Sequence, residues 1–319
     1  YIFSILITLL QKILIFSLIS IVGYPIMVIL CGEYLPTSLR INLKSREGID
    51  NNILKKIEDL EDVNNLDVLF IGSSHAYRSF DPRIWDTYGY TTFNLGTSSQ
   101  THLHTGLLLK EYIPRIKPSL VVYEVYPDMF SNNGVESNTV FLSFNICYDQ
   151  MKDVVLKNIN VKTINEYIYA SYRRWKYPKE NILIELDTTL KIYRSRGFVE
   201  NKSSSFTEVN NYKRGKMLES QISAFRANLL YLKSLSIPFV LLRTPVTFIE
   251  QGRFPDKEKY DQLMSEYDNY VDYSQLYELK DSIHFYDYHH MNQKGVEIFN
   301  PIFIKKLQDS DVLEAQLED

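Results

Sequence analysis

A long apolar stretch opens the chain and differs from everything that follows. After Gln11 and Lys12, no charged residue occurs from Ile13 to Cys31. About 20 apolar residues suffice to cross the hydrocarbon of a bilayer as a helix. We therefore predict an N-terminal transmembrane helix within residues 1–32, followed by a polar linker over residues 33–66.

A cleaved signal peptide is the other interpretation of this stretch. An uncleaved anchor is favoured, because the apolar region is longer than a signal peptide needs and no small-residue cleavage pattern precedes Cys31. Basic residues lie on both sides of the span, Lys12 before it and Arg40 and Lys44 after it, so charge does not set the orientation. The chain begins with tyrosine rather than methionine, and further residues upstream are expected.

Five short apolar runs follow the linker, and helical patterns separate most of them. Such runs are typical of buried strands in a parallel sheet. Their alternation with helices predicts a doubly wound, three-layer α/β/α sandwich over residues 67–319. The predicted strands are Val68–Ile71, Thr91–Leu95, Leu120–Val125, Phe239–Leu242 and, as the weakest, Ser282–Tyr286. The predicted helices are His104–Ile113, a long one around Met217–Leu235, and Lys257–Asp268.

A long insertion, Phe130–Lys216, separates the third and fourth predicted strands. It contains an aromatic and basic segment, Tyr167–Tyr177, and a polar stretch, Glu200–Asn211. A loop of this length inside a compact domain is usually a lid or a binding element. A helical surface decoration is the alternative, and the sequence leaves both open.

Composition and charge exclude several classes of function. The net charge of −4 is not gathered into a block, so no nucleic-acid partner is expected. The two cysteines have neither disulfide nor metal-ligand spacing. His75, His102 and His104 lie in two segments without a carboxylate cluster, so we expect them to lie at the surface or to support neighbouring site residues rather than bind a metal. No metal and no cofactor are implied.

Three residues at opposite ends of the predicted domain carry the candidate chemistry. Ser74 follows the first strand in a turn of small residues, and Asp287 and His290 precede the last helical pattern. A serine hydroxyl becomes a nucleophile when a base takes its proton, and a carboxylate holds that base in the required tautomer. The spacing of three lets one tight turn bring Asp287 and His290 together. Backbone N–H groups of Ser74 and Gly96, each after a strand, would bind an oxyanion.

Other interpretations of these positions exist. A serine in such a turn is often only a helix N-cap. His289 is the competing base, but adjacent side chains point apart, and we favour His290. Arg243 follows the fourth strand and would either bind an anionic substrate or form a structural ion pair, for which Glu124 is a candidate partner.

Over roughly residues 66–308 the chain resembles the SGNH (GDSL-like) hydrolase superfamily. The first block, Gly-Asp-Ser, appears as Gly72–Ser73–Ser74, so the nucleophile maps to Ser74, and the second-block glycine maps to Gly96. The last block, Asp-x-x-His, maps to Asp287 and His290. The third block, Gly-x-Asn-Asp, has no counterpart asparagine, so a tyrosine or a backbone N–H would supply that oxyanion donor. The resemblance implies a flavodoxin-like five-stranded parallel sheet with strand order 2-1-3-4-5.

The N-terminal anchor and the Phe80–Asp81–Pro82 segment make the chain look most like the membrane-anchored branch of that superfamily. This branch includes the D-alanyl transfer protein of teichoic acid modification and anchored acyltransferases of exopolysaccharide O-acetylation. The resemblance implies an extracytoplasmic acyltransferase or esterase acting through an acyl-serine. Its partners would be an acyl donor, a cell-envelope glycan acceptor and a membrane-bound O-acyltransferase. A non-catalytic glycan-binding or scaffold subunit of a polysaccharide modification or export complex is the alternative.

Overall fold

A computed structural model describes residues 2–40, 42–43, 52–177, 191–203, 206 and 214–313. The chain divides into two compact units. The smaller unit comprises Tyr1–Ile49 and Asn138–Ile182, and the larger comprises Asp50–Ser137 and Leu183–Asp319.

The larger unit is built on a five-stranded parallel sheet flanked by helices. The strands along the described chain are β1 (Val68–Ile71), β2 (Thr92–Asn94), β3 (Leu120–Glu124), β4 (Lys191–Tyr193), β5 (Val199–Asn201), β6 (Phe239–Arg243) and β7 (Tyr270–Asp272). The sheet has the order β2-β1-β3-β6-β7, and every neighbouring pair is parallel. The predicted fold class and strand order are confirmed. Strands β4 and β5 form a separate antiparallel hairpin inside the long insertion.

Helices occupy most of the remaining described chain. They are α1 (Ile2–Tyr34), α2 (Asn52–Glu61), α3 (Ser74–Ser79), α4 (Pro82–Thr87), α5 (His102–Ile116), α6 (Asp128–Ser131), α7 (Val135–Ser143), α8 (Tyr148–Lys157), α9 (Val161–Lys176), α10 (Glu219–Ser234), α11 (Phe248–Gln251), α12 (Lys257–Met264), α13 (Asp281–His284) and α14 (Gln293–Asp309). Helix α2 lies within the predicted linker, and residues 41 and 44–51 of that linker lie outside the described residues. Of the polar stretch Glu200–Asn211 in the insertion, residues 204, 205 and 207–211 are likewise not described.

The central strands are buried on both faces, which explains their uninterrupted apolar sequence. Successive side chains of a strand point to opposite faces. On one face, Phe70 and Val122 belong to a core that includes Trp85 of α4 and Phe303 of α14. On the other, the ring of Tyr123 packs against Phe225 of α10 with centroids 5.8 Å apart. The two helical layers thus hold the sheet and fix the positions of its carboxyl edge.

The predicted fifth strand, Ser282–Tyr286, is wrong. Residues 281–284 form the short helix α13, and Phe285 then makes an isolated antiparallel bridge with Met291. The apolar side chains that suggested a strand instead close a loop, because Phe285 and Met291 are both buried in the core. The fifth strand is β7, a three-residue edge strand whose partly exposed residues give only a weak apolar signal.

The smaller unit contains α1, and the predicted span Ile13–Cys31 lies wholly within that helix. Helix α1 is long and apolar enough to cross a membrane, and a signal sequence near an N-terminus would have the same character. Helices α8 and α9, which come from the long insertion, also belong to this unit.

Candidate active site

The turn from β1 into α3 presents Ser74 at the carboxyl end of the sheet. Gly72 has φ +151°, and a Cβ on it would lie 2.6 Å from Cβ of Glu124, so the turn requires glycine at this position. Ser73 is the N-cap of α3, where its Oγ accepts a hydrogen bond from the N–H of His75 at 3.2 Å. The capping role thus belongs to Ser73, which leaves Ser74 as the first residue of the helix.

Ser74, His290 and Asp287 form one hydrogen-bonded chain. Ser74 Oγ lies 2.8 Å from His290 Nε2, and His290 Nδ1 lies 2.8 Å from Asp287 Oδ2. The carboxylate thereby favours the tautomer with the proton on Nδ1, which leaves Nε2 free to accept the serine proton. His290, rather than His289, is the histidine in contact with Ser74.

The loop that carries Asp287 and His290 is closed by backbone bonds. The N–H of Tyr286 donates to the carbonyl of His290 at 3.2 Å. Asp287 Oδ1 accepts the N–H groups of His289 at 3.0 Å and His290 at 2.8 Å. Burial alone would raise the pKa of Asp287, but the neighbouring histidines and these hydrogen bonds hold it well below its ordinary value. Asp287 therefore remains ionised and keeps the imidazole oriented.

The next helix starts directly after this loop. Asn292 caps α14 by accepting the N–H of Gly295 at 3.2 Å. A Cβ on Gly295 would lie 2.5 Å from the carbonyl oxygen of His284, so only glycine lets the helix start this close to the loop. The asparagine and glycine thus fix where the last helix starts.

A second pair of imidazoles lies beside the base. His75 Nε2 is 3.1 Å from His289 Nδ1, and the ring of His75 stacks on Tyr126 at a centroid distance of 3.7 Å. Burial, followed by the charges of nearby cationic groups, lowers the pKa of His75 and of His289 well below the ordinary value. Both are therefore neutral at neutral pH, and they do not oppose the positive charge that His290 gains when it takes a proton.

A buried carboxylate supports the serine turn from below. Glu124, at the end of β3, accepts hydrogen bonds from the N–H and the Oγ of Ser73, both at 2.8 Å, and from the N–H of Tyr126. Burial raises the pKa of Glu124 to about 7, although these hydrogen bonds and Arg243 oppose the increase. Glu124 thus ties β3 to the turn that positions Ser74.

The oxyanion donors expected from the sequence have different surroundings. The N–H of Ser74 is the first of α3, where backbone N–H groups have no acceptor within the helix. The N–H of Gly96 donates to Asn94 Oδ1 at 3.0 Å, and the carbonyl of Gly96 accepts from Lys56. An oxyanion would therefore have to displace the Asn94 side chain to use Gly96 as a second donor.

Arg243 is paired within the fold, but with Asp272 rather than with Glu124, the partner suggested by the sequence. Its Nη1 lies 3.7 Å from Asp272 Oδ2 on the adjacent strand, and its guanidinium lies over the ring of Tyr260. The side chain is only 6% exposed. These contacts place Arg243 in the β6–β7 packing, and its contact with substrate stays a prediction.

A buried group of charged residues lies near the site, and no pattern in the sequence predicts it. Arg214, from the end of the insertion, pairs with Glu250 and with Asp128, where its Nε is 3.1 Å from Oδ1, and it donates to the hydroxyl of Tyr126. These residues come from distant segments, and none of them stands in a recognisable motif. Through Tyr126, which stacks on His75, this group reaches the imidazole pair.

One histidine cluster has metal-ligand character. Nitrogen atoms of His75, His289 and His290 lie within 4.8 Å of one another. Imidazole nitrogens are ligands that zinc commonly takes in proteins. Because His290 also contacts Ser74, a metal bound there would compete with proton transfer from the serine.

His102 and His104, the other histidines considered with His75, lie elsewhere. His102 Nδ1 is 2.6 Å from the hydroxyl of Tyr123, and His104 Nδ1 is 2.8 Å from Thr101 Oγ1. Both side chains are buried, and burial lowers the pKa of His102 to about 3. These two histidines pack within the fold, so the surface position considered for them from the sequence is wrong.

Fold and site together define an α/β protein with a hydrogen-bonded Ser–His–Asp set at the carboxyl ends of a parallel sheet. No protein-family model matches the sequence, and no curated protein matches it. Among solved structures, the chain is similar to a two-domain esterase active on acetylated mannans, with 11% identity, 86% of this chain and 56% of that one covered, and a TM-score of 0.40. The chain thus spans little more than half of that esterase.

Two further solved structures are similar over most of their own length. One is a GDSL-like lipase from Bacteroides thetaiotaomicron, with 15% identity, 82% of this chain and 98% of that one covered, and a TM-score of 0.28. The other is a lipase/acylhydrolase from Enterococcus faecalis, with 10% identity, 80% and 100% covered, and a TM-score of 0.28. Similarity at this level concerns the fold alone, so function is inferred from the geometry of the site.

Proposed function

We propose that this protein is a membrane-anchored serine acyltransferase or esterase that acts on O-acyl groups of a cell-envelope glycan. The observation that carries the proposal is the continuous hydrogen-bonded chain from Ser74 Oγ through His290 to Asp287. A serine that served only as a cap would not need a base, and Ser73 already caps α3. A triad of this geometry favours catalysis over a role as a glycan-binding subunit.

The reaction would proceed in two halves through an acyl-serine. Ser74 Oγ attacks the acyl carbonyl while His290 Nε2 takes the hydroxyl proton, and the backbone N–H of Ser74 stabilises the oxyanion. The bond between the acyl carbon and the donor oxygen breaks, and His290 returns its proton to that oxygen. In the second half, the acceptor hydroxyl gives its proton to His290 and attacks the acyl carbon. The bond between that carbon and Ser74 Oγ breaks, and His290 passes the proton to Ser74 Oγ, which restores the free serine.

The acceptor decides between the two activities. Water yields an esterase, and a sugar hydroxyl yields a transferase, because the first half-reaction is common to both. The long apolar helix α1 favours an enzyme held at the membrane, where a membrane-bound O-acyltransferase would deliver acyl groups. The resemblance to the anchored branch of the SGNH superfamily supports an extracytoplasmic glycan as the acceptor.

The first test is covalent labelling of the serine. The purified full chain is incubated with a short acyl ester and with a fluorophosphonate probe, and the modified peptide is identified by mass spectrometry. We expect acylation on Ser74, and we expect Ser74→Ala and His290→Ala each to lose several orders of magnitude in turnover. The double variant should be scarcely slower than either single variant, because the two residues act as one unit.

The same variants separate the two candidate functions. If neither substitution changes ester turnover or glycan acylation in cells, while the protein still binds the glycan, the non-catalytic binding subunit is the better assignment. Transfer is distinguished from hydrolysis by supplying an oligosaccharide acceptor and measuring how the acyl group divides between sugar and water.

A further inference from the structure

Helices α8 and α9 form an antiparallel hairpin within the smaller unit. The ring of Tyr148, at the start of α8, stacks on Tyr167 of α9 with centroids 5.7 Å apart. The guanidinium of Arg174, near the end of α9, lies over the same Tyr148 ring. The start of α8 thus lies beside the later part of α9, and the turn at residues 158–160 forms the opposite end of the hairpin.

The hairpin packs along the second part of α1, and its direction there is defined. Asn165, near the start of α9, accepts a hydrogen bond from the hydroxyl of Tyr24. One turn later, the hydroxyl of Tyr169 donates to the carbonyl of Gly32 at 3.0 Å. Because the contacts advance in the same order along both helices, the start of α9 and the hairpin turn lie toward the start of α1.

The part of α1 before Tyr24 is uncovered. Residues 3–22 are exposed except for Ser17, which is half-buried. Twenty residues of helix measure about 30 Å, the thickness of the hydrocarbon core. The favourable transfer of the many Leu, Ile, Phe and Val residues in this stretch offsets the cost of its single charged residue, Lys12.

The hairpin turn carries an apolar and basic surface. Leu156, Ile159 and Val161 are 60%, 73% and 56% exposed, respectively. Lys157 and Lys162 are also exposed, and residues 156–162 contain no acidic residue. Single exposed apolar residues are ordinary, but here three lie within six positions together with two lysines, a combination that would suit contact with anionic lipid headgroups.

We propose that residues 156–162, the hairpin tip, form a second membrane contact beside α1. The three apolar side chains enter the lipid interface, and Lys157 and Lys162 bind anionic headgroups. This inference rests on the membrane anchoring put forward under the proposed function. If the hairpin tip contacts the membrane, the lipid-spanning part of α1 ends near Tyr24 rather than at Cys31, because the polar helix α9 lies alongside the later residues of α1.

The two tryptophans of the chain make the tip directly testable. Trp85 is fully buried in the core, and Trp175, which is 78% exposed, lies near the far end of α9. Trp175 is 14 residues, or about 21 Å, beyond Val161 along the helix. The full chain is reconstituted in vesicles whose lipids carry bromine on the acyl chains, which quench tryptophan on contact.

Three proteins are compared, namely the unmodified chain, Trp175→Phe, and Trp175→Phe with Ile159→Trp. We expect the introduced tryptophan at the tip to be quenched at least twofold more than the Trp85-only baseline, and Trp175 to show no quenching above it. In vesicles containing phosphatidylglycerol, adding Lys157→Gln and Lys162→Gln should reduce the tip quenching. In neutral phosphatidylcholine, the same substitutions should have no effect.

Three results would overturn the proposal. An unquenched tip in protein that resists carbonate extraction would show that the hairpin stands away from the bilayer. Equal quenching of Trp175 and the tip would show that α9 is immersed and that the span reaches Cys31. Release of the protein by carbonate would refute the anchor itself, and with it the tip contact, while leaving the acyl-serine chemistry to its own test.

Discussion

At the scale of single residues, the serine turn shows how a neighbouring strand supplies an acid that the turn itself lacks. The SGNH superfamily, which the chain resembles, has an aspartate between the glycine and the nucleophile of its first block, and this chain has Ser73 at that position. The hydroxyl of Ser73 donates to Glu124 at 2.8 Å, so a carboxylate lies beneath the turn that carries Ser74, the proposed nucleophile. Ser73 and Ser74 are adjacent, yet one holds the backbone and the other contacts the base.

Substituting each serine should therefore give opposite results. Ser73→Ala removes a cap and one hydrogen bond to a buried carboxylate, and we expect it to lower the free energy of unfolding by roughly 1–3 kcal/mol. It should retain most ester turnover. Ser74→Ala should lose turnover and keep its stability. Urea unfolding and ester hydrolysis measure the two effects, and an inactive Ser73→Ala with an active Ser74→Ala would identify Ser73 as the nucleophile.

Glu124 provides a prediction about pH. Its pKa is about 7 in the fold and near 4.5 in the unfolded chain, so the folded state binds the extra proton between these values. The free energy of unfolding of the unmodified protein, minus that of Glu124→Gln, should thus fall as pH rises from about 4.5 to about 7, by up to about 3 kcal/mol. The lowered pKa values of His75 and His289 also make the fold less stable toward acid pH. Both proteins contain these histidines, so this effect cancels in the difference between them. If this difference in the free energy of unfolding instead increases with pH, the hydrogen bonds from Ser73 and Tyr126 lower the pKa of Glu124 by more than burial raises it.

At the scale of elements, the sequence predicts those strands and helices whose own residues form a clear apolar pattern. Strands β1, β2, β3 and β6 are almost entirely buried and lie in short, mainly apolar runs, so their positions were predicted to within one residue at each end. Strand β7 was missed because it is short and partly exposed. The pairing of His75 with His289 and the approach of Arg214 depend on contacts between distant segments, which no local pattern records.

The turn between β1 and α3 can be tested through its glycine. Gly72→Ala would place a Cβ against Glu124 at a backbone conformation that alanine rarely adopts. We expect loss of most activity and a destabilisation of about 2 kcal/mol or more. Gly252→Ala is the matched control, because nothing lies within 4 Å of its Cβ position and its φ is −86°. Equal tolerance of both substitutions would show that the turn is not under this constraint.

At the scale of the whole molecule, the apolar helix and the serine site together predict where the enzyme works. An acyl-serine enzyme anchored by α1, as proposed above, would reach only substrates on its own side of the membrane. The basic residues on both sides of the apolar stretch do not settle which side that is. The proposed glycan acceptor requires the side outside the cytoplasm, so orientation is the property on which the substrate assignment depends.

Orientation can be measured with one introduced cysteine. Tyr277 is 93% exposed on the larger unit, and Tyr277→Cys offers a thiol far more accessible than buried Cys147. On intact cells, a membrane-impermeant maleimide should label Tyr277→Cys well above the unmodified protein, which reports any reaction at Cys31. The labelled protein should remain in the membrane fraction through high-salt and carbonate washes. Labelling only after lysis would place the serine site in the cytoplasm, and a soluble labelled form beginning near Cys31 would establish a cleaved signal peptide instead of an anchor.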